Sequence, residues 1–205
     1  MNINSNYTDL SRKERDKLRN REAILEAAVH LFAKKGFSET KLEDVAALAE
    51  FGKGTLYNYF ENKNDLLLSA FEFAVLNMLE FLYGQLASVS DPLERIELIA
   101  KSQFNYYITN SDFMKVIMTN HQVLHNHPRS KEVFKRFGGL KKLVVEEMQS
   151  AIEAGHLKAG SAQRYANYLS GMIHGQVRSL NAGEMLVEDI DADEIIDIFL
   201  NGVKS

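Results

Sequence analysis

Cysteine is absent from this 205-residue chain, which excludes disulfides, thiolate metal sites and thiol redox sensing. Tryptophan is absent too, and proline occurs only at Pro92 and Pro128. Alternating β-branched runs are scarce, so the expectation is an all-α chain of one or two domains, long enough to bury a sizeable core. There is no nucleophile elbow, glycine-rich phosphate loop or carboxylate pair framing a cleft, so an enzyme is not expected. No apolar run reads as approaching the roughly 20 residues of a membrane span. The polar start, residues 1–21, lacks the apolar stretch of a signal peptide. A cytoplasmic protein with no cofactor and no membrane partner is expected.

Positive charge is also in short supply overall, with a formal net charge of −4. Its distribution is uneven. Residues 1–63 hold 11 Lys and Arg against 10 Asp and Glu, whereas residues 64–205 hold 13 against 18. Arg12, Lys13, Arg15, Lys17, Arg19 and Arg21 crowd into ten positions. That run reads either as a solvated helix start paired to Glu14, Asp16 and Glu22 or as an arm for phosphate or the minor groove.

The densest information lies between Thr40 and Lys63. Thr40 and Glu43 have capping-box spacing, and Leu42, Val45, Ala46 and Ala49 follow at helical spacing. Gly52 to Gly54 interrupts the pattern, which resumes from Thr55 to Phe60. In that second helix only Leu56 and Phe60, four apart, are aliphatic or plainly aromatic, so they are the expected anchors. Lys53, Thr55, Tyr57, Asn58 and Tyr59 are left for the outward face or rim, which suits a helix entering a DNA groove.

The strings LFAKKGF (Leu31 to Phe37), TKLEDVA (Thr40 to Ala46) and GKGTLYNYFENK (Gly52 to Lys63) resemble the DNA-binding domain of the TetR/AcrR family of bacterial transcriptional regulators. One departure is Glu50-Phe51-Gly52, where the family usually places a hydroxyl cap; glycine is a tolerable substitute. The resemblance implies a three-helix helix-turn-helix domain over residues 1–62. A helical effector-binding and dimerisation domain follows over 63–205, with about nine helices in all. It also implies that Tyr57 and Tyr59 touch phosphate or groove, that Lys53 and Lys63 clamp phosphates, and that Gly54 permits close approach. Thr55 and Asn58 are the base-reading candidates, since Asn can bond adenine bidentately and the Thr methyl can meet that of thymine. Thr40, at a helix N-terminus, suits a phosphate oxygen.

Helix 1 is expected from Ser11 to Lys35 with Gly36 as its stop, and Asn62 caps a long fourth helix from about 63 to 87. Ser90-Asp91-Pro92 is a helix-start signal. Further helices are expected at about 92–109, 112–125, 129–154, 162–182 and 191–203. The family holds its inducer in this region, so Met78, Phe81, Gln103, Phe104, Tyr107, Met114, Met118, His121, Phe137 and His174 are ligand candidates, amphipathic groups suiting a cavity with few polar handles. The family dimerises through its last two helices. Ala166, Ser170, Gly171, His174 and Gly175 with Ile195, Ile196, Phe199, Leu200 and Val203 fit that role; the other reading is that they cover the chain's own core. His121, His125 and His127 have workable metal spacing but fall at a helix end before Pro128. The expected function is a homodimeric DNA-binding regulator, a repressor released by a small organic ligand from a pseudo-palindromic operator. The alternatives are a metal-responsive regulator using those three histidines or a ligand-free DNA-binding helical protein.

Overall fold

The computed structural model describes residues 11–186, 189 and 191–204, and the side chain of Phe137, a ligand candidate, lies outside that description. The described residues form ten helices and no strand: α1 (Arg12–Glu39), α2 (Leu42–Leu48), α3 (Lys53–Tyr57), α4 (Lys63–Leu86), α5 (Pro92–Thr109), α6 (Ser111–Thr119), α7 (His121–Asn126), α8 (Ser130–Glu153), α9 (Ala162–Ala182) and α10 (Ala192–Val203). Local chemistry explains most of their limits. Ser11 and Glu14 form the capping box of α1, the hydroxyl accepting from the Glu14 amide and the Glu14 carboxylate from the Ser11 amide. The Ser11 hydroxyl, which also donates to the carboxylate (2.6 Å), and then the Ser11 amide hold the Glu14 carboxyl below the usual carboxylate range. Asp91 accepts from the amides of Leu93 and Glu94 with Pro92 in the first turn of α5. Asn62 accepts from the amides of Asn64 and Asp65 at the start of α4.

One helix more is present than the sequence suggested, because the single helix expected over 112–125 is two. Asn120 leaves helical geometry (φ −111°, ψ 23°). Its side-chain amide donates to Val116 O (2.8 Å), and the Thr119 hydroxyl donates to Lys115 O (2.9 Å). Such side-chain bonds to the carbonyls of the preceding turn offer the backbone an alternative to continued helix.

The chain divides into two compact units. One runs to Glu80 and adds Asp112–Lys135; the other holds Phe81–Ser111 and the chain from Arg136 onward. The boundary expected at residue 62 falls inside the first unit, which includes most of α4, up to Glu80. Helix α4 also corrects the expectation about apolar runs, since by length and composition it could cross a membrane, although 67% of its most apolar stretch is buried. In the first unit Ile24, Leu25, Phe32, Val45, Leu56, Phe60 and Leu66 to Leu68 form the core.

In the second unit α10 packs on α5 and α9. Arg95 donates to Leu86 O (2.8 Å), Val89 O (2.9 Å) and the Glu147 carboxylate (2.8 Å), fastening three segments. Ile195, Ile196, Phe199, Leu200, Val203 and Ala166 are all buried here. Their assignment to a dimer interface is thus corrected: they cover the protein's own core. A 12-residue helix has one wide apolar stripe, and the unit's interior takes it.

Candidate nucleic-acid interface

The α2–α3 pair is held from inside. Leu56 is 0% and Phe60 1% exposed, as their four-residue spacing predicts. Helix α2 ends with Phe51 N–H bonded to Ala46 O (2.8 Å) and Glu50 N–H to Ala47 O (3.1 Å). This is the double bond pattern that puts the intervening residue in the left-handed region. That residue is Glu50, at φ 61°. The sequence missed it, because no glycine marks the position. Gly52 caps α3 without a side-chain bond, as its lack of a hydroxyl implies.

Outward from those anchors, Tyr57, Asn58, Lys53 and Gly54 are exposed and Thr55 and Tyr59 half-buried. Lys53 is paired with Glu43 and lies 5.9 Å from the centre of the Tyr57 ring. The hydrogen bond to Glu43 raises the Lys53 pKa. Lys63 spends one donor on Ser38 O (2.8 Å) over the Phe37 ring, and burial lowers its pKa, so its phosphate role meets an internal competitor.

Thr40 requires a correction. It is 1% exposed, and its hydroxyl donates to Gly36 O (2.7 Å) and Leu31 O (3.2 Å). The cap of α2 is Lys41, with no side-chain bond, so the capping box with Glu43 is not formed. Gly36 breaks helical geometry at φ 78°, and the Thr40 hydroxyl ties the carbonyls of Leu31 and Gly36 together across that break. Its hydroxyl faces inward and is not presented to a phosphate.

A groove of about 700 Å3 runs between α1 and α3, lined by Arg12, Lys13, Asp16, Lys17, Asn20, Thr55, Asn58 and Tyr59. Thus part of the basic run at the start of α1 shares a surface with the base-reading candidates. Asn20 was not anticipated. The signal was available, because residues 13, 17 and 20 fall at i, i+4 and i+7 on one face. A basic groove flanked by amide and hydroxyl side chains can grip phosphates while α3 meets base edges.

The sequence profile of the bacterial regulatory proteins of the tetR family matches residues 24–70, spanning α1 to the start of α4. The HTH-type transcriptional regulator YerO of Bacillus subtilis is 30% identical over 184 residues, 85% of this chain and 60% of that protein. The chain belongs to the TetR family. The repressor NicS of Pseudomonas putida is 28% identical over 142 residues, 68% of this chain and 65% of NicS. The chain spans less than two thirds of the length of these two relatives. In fold, this TetR-family chain is similar to a transcriptional regulator from Saccharomonospora viridis in complex with choline, at TM-score 0.76 and 18% identity over 90% of this chain and 97% of the other. It is similar also to KstR2 of Mycobacterium tuberculosis, at TM-score 0.70 and 21% identity over 90% and 95%.

The effector candidates of the TetR-family chain are divided between the two units. Phe81 is 59% and Met118 40% exposed, and His121 is exposed. In the second unit Gln103, Phe104 and Tyr107 are buried, and the Tyr107 hydroxyl lies 3.2 Å from Nε2 of His174. Burial pushes the Tyr107 phenol up to about 12 and lowers the His174 pKa. A neutral, hydrogen-bonded pair results, suited to an uncharged polar group. Met78 is buried and Met114 half-buried in the first unit.

The three-histidine alternative is corrected as well. His125 stacks on Phe134 at 4.5 Å, His121 Nδ1 lies 3.2 Å from Met118 O, and His127 Nδ1 accepts from the Arg129 amide. His121 and His125 meet edge to face, 6.5 Å between ring centres, while His127 is directed to Arg129 and Asp65. Among the described residues no group of three His, Cys, Asp or Glu is placed to hold a metal.

Proposed function

We propose that the chain is a sequence-specific DNA-binding transcriptional regulator that acts as a homodimer and is a repressor released by a small organic ligand. The observation that carries this is the outward face of α3. Tyr57, Asn58 and Thr55 stand beside the basic groove of α1, over buried anchors that leave them no structural task. The names of NicS and KstR2 as repressors support repression, and the choline held by a structural neighbour supports a small-molecule ligand.

A single three-helix unit touches little DNA, so two-fold pairing is needed, with recognition helices about 34–36 Å apart. With Ile195, Ile196, Phe199, Leu200 and Val203 used internally, the pairing face is the outer side of α9 and α10. Tyr168 is 56% and Ile198 58% exposed there. A Cβ built at Gly171 or Gly175 meets no atom of the chain, so their smallness serves no packing within the protomer. A ligand in the second unit releases DNA by favouring a dimer whose recognition helices are wrongly spaced, a difference in affinity between two states.

Selection of duplexes from a random pool by the purified protein tests the reading. A pseudo-palindrome with half-sites one helical turn apart is expected. A pool that is never enriched would overturn the proposal.

A further inference from the structure

Asp65, the third residue of α4, is 8% exposed at its side chain and divides its carboxylate between two places. Oδ2 accepts the backbone N–H of Glu61 (3.1 Å), in the turn that leaves α3. Oδ1 accepts from Nη1 of Arg129 (2.8 Å), at the corner between α7 and α8. The same guanidinium donates to the Ser69 hydroxyl (3.2 Å) and, through Nη2, to the Glu72 carboxylate (3.0 Å). Residues 65, 69 and 72 lie on one face of α4. Arg21 of α1 sits over the Phe60 ring at 5.5 Å; burial lowers its pKa, and the nearby charges of Glu72 and Asp65 oppose that shift. The corner is itself shaped by the Arg129 amide, which donates to His127 Nδ1 (3.2 Å).

All these groups belong to the first unit, and their connectivity has a direction. A residue 64 positions beyond Asp65 in sequence reaches, through one carboxylate, the backbone that carries the recognition helix. We propose that Arg129 is a positioning residue for DNA binding: through Asp65 it sets the turn at Glu61, so that displacement of the α7–α8 corner is passed to α3. This rests on the DNA-binding reading above and adds to it the place at which binding is regulated.

The clasp is tight enough to hold and loose enough to open. Hydrogen bonds to charged groups are stronger than neutral ones. Carboxylates as buried as Asp65 and Glu72 cannot lose a donor without local rearrangement. Yet the Arg129 side chain is 41% exposed. A cleft of about 710 Å3 borders it, lined among others by Tyr59, Asn62, Gln122 and Asn126. The guanidinium can therefore swing into water when the corner moves, and the rearrangement of the carboxylates it leaves carries that movement to the turn at Glu61.

The test uses the full chain with Arg129→Met, Arg129→Lys, Asp65→Asn and the Arg129→Met/Asp65→Asn pair. Amide exchange is read without DNA, and affinity is read on the selected duplex and on a random duplex at one salt concentration. Arg129→Met is expected to speed exchange of residues 53–61 by about tenfold or more, with α9 unchanged, and to weaken the selected duplex by a similar factor. The random duplex should weaken far less. Arg129→Lys should fall between, since one ammonium cannot span both carboxylates as the guanidinium does. The pair should lose clearly less than the two single changes added, the mark of a shared interaction, and strict additivity would count against it. If Arg129→Met does not fold, Arg129→Lys and Asp65→Asn carry the same comparison. Unchanged exchange at 53–61, or faster exchange with equal losses on both duplexes, would overturn the proposal. A wild-type protein that selects no duplex would instead remove the DNA-binding reading, while the exchange result would still stand or fall by itself.

Discussion

Thr40→Val separates two roles for one hydroxyl. In the structure its proton is shared between Gly36 O at 2.7 Å and Leu31 O at 3.2 Å, with the residue 1% exposed. Valine keeps the shape and removes the donor. A neutral hydrogen bond contributes about 1 kcal/mol net, and a carbonyl left without its donor in a buried place costs about 1–3 kcal/mol. The loss should therefore be about 1–3 kcal/mol, and in a chain of this size each kcal/mol lowers Tm by about 2–4 °C. Thr40→Ser keeps the bond and gives up only a buried methyl, about 0.8 kcal/mol. Thermal and urea unfolding followed by circular dichroism should rank the proteins wild type, Ser, Val. DNA affinity measured well below Tm should change little. The reasoning is refuted if the Val variant melts with the wild type while its affinity for the selected duplex falls tenfold, because the hydroxyl would then be spent on phosphate.

Four further outcomes are expected. Asn58→Ala should relax preference at one base position at a cost of about 1–3 kcal/mol on the cognate site, whereas Lys17→Ala should weaken all duplexes and reduce the salt slope by about 1; equal losses on cognate and random DNA for Asn58→Ala would remove its base-reading role. Glu50→Gly should add up to about 1 kcal/mol of stability, read as a higher urea midpoint at unchanged slope, because a left-handed φ strains any residue with a Cβ. Ile198→Glu combined with Tyr168→Glu should leave a folded monomer in sedimentation, and a persistent dimer would place the pairing face elsewhere. The Tyr107 phenol, raised by burial from an ordinary value near 10 to about 12, keeps its proton longer folded than unfolded. Its contribution is thus complete below about pH 10 and is lost as pH rises through 12; unfolding followed against pH should show that decline, and Tyr107→Phe should shrink it.

Helix limits were legible wherever a side chain closes them locally. Ser11 with Glu14, Asn62, and Asp91 before Pro92 each act within three residues of their partners, so spacing in the sequence is spacing in space. The α3 anchors were legible for the same reason, four residues being one helical turn. Other features were illegible because the marker residue was missing or its target was distant. Glu50 occupies a position usually marked by glycine, and Asn120 divides a helix through a side-chain bond that an ordinary polar residue does not advertise.

The chain's own order of residues determined that it is helical, where its recognition helix lies and which residues of that helix face outward. These follow from periodicity and capping, which act over one or two turns. Tertiary structure alone decided what non-local contacts decide. Periodicity showed that Ile195, Ile196, Phe199, Leu200 and Val203 share a face, but whether that face meets a partner or the protein's own α5 and α9 depends on packing. Thr40 had the spacing of a cap, yet its hydroxyl turns inward to the carbonyls of Leu31 and Gly36, which the fold brings beside it. Asp65 and Arg129, 64 positions apart, carry no mark of each other in the sequence, because an ion pair is defined by distance and burial, and only the fold supplies both.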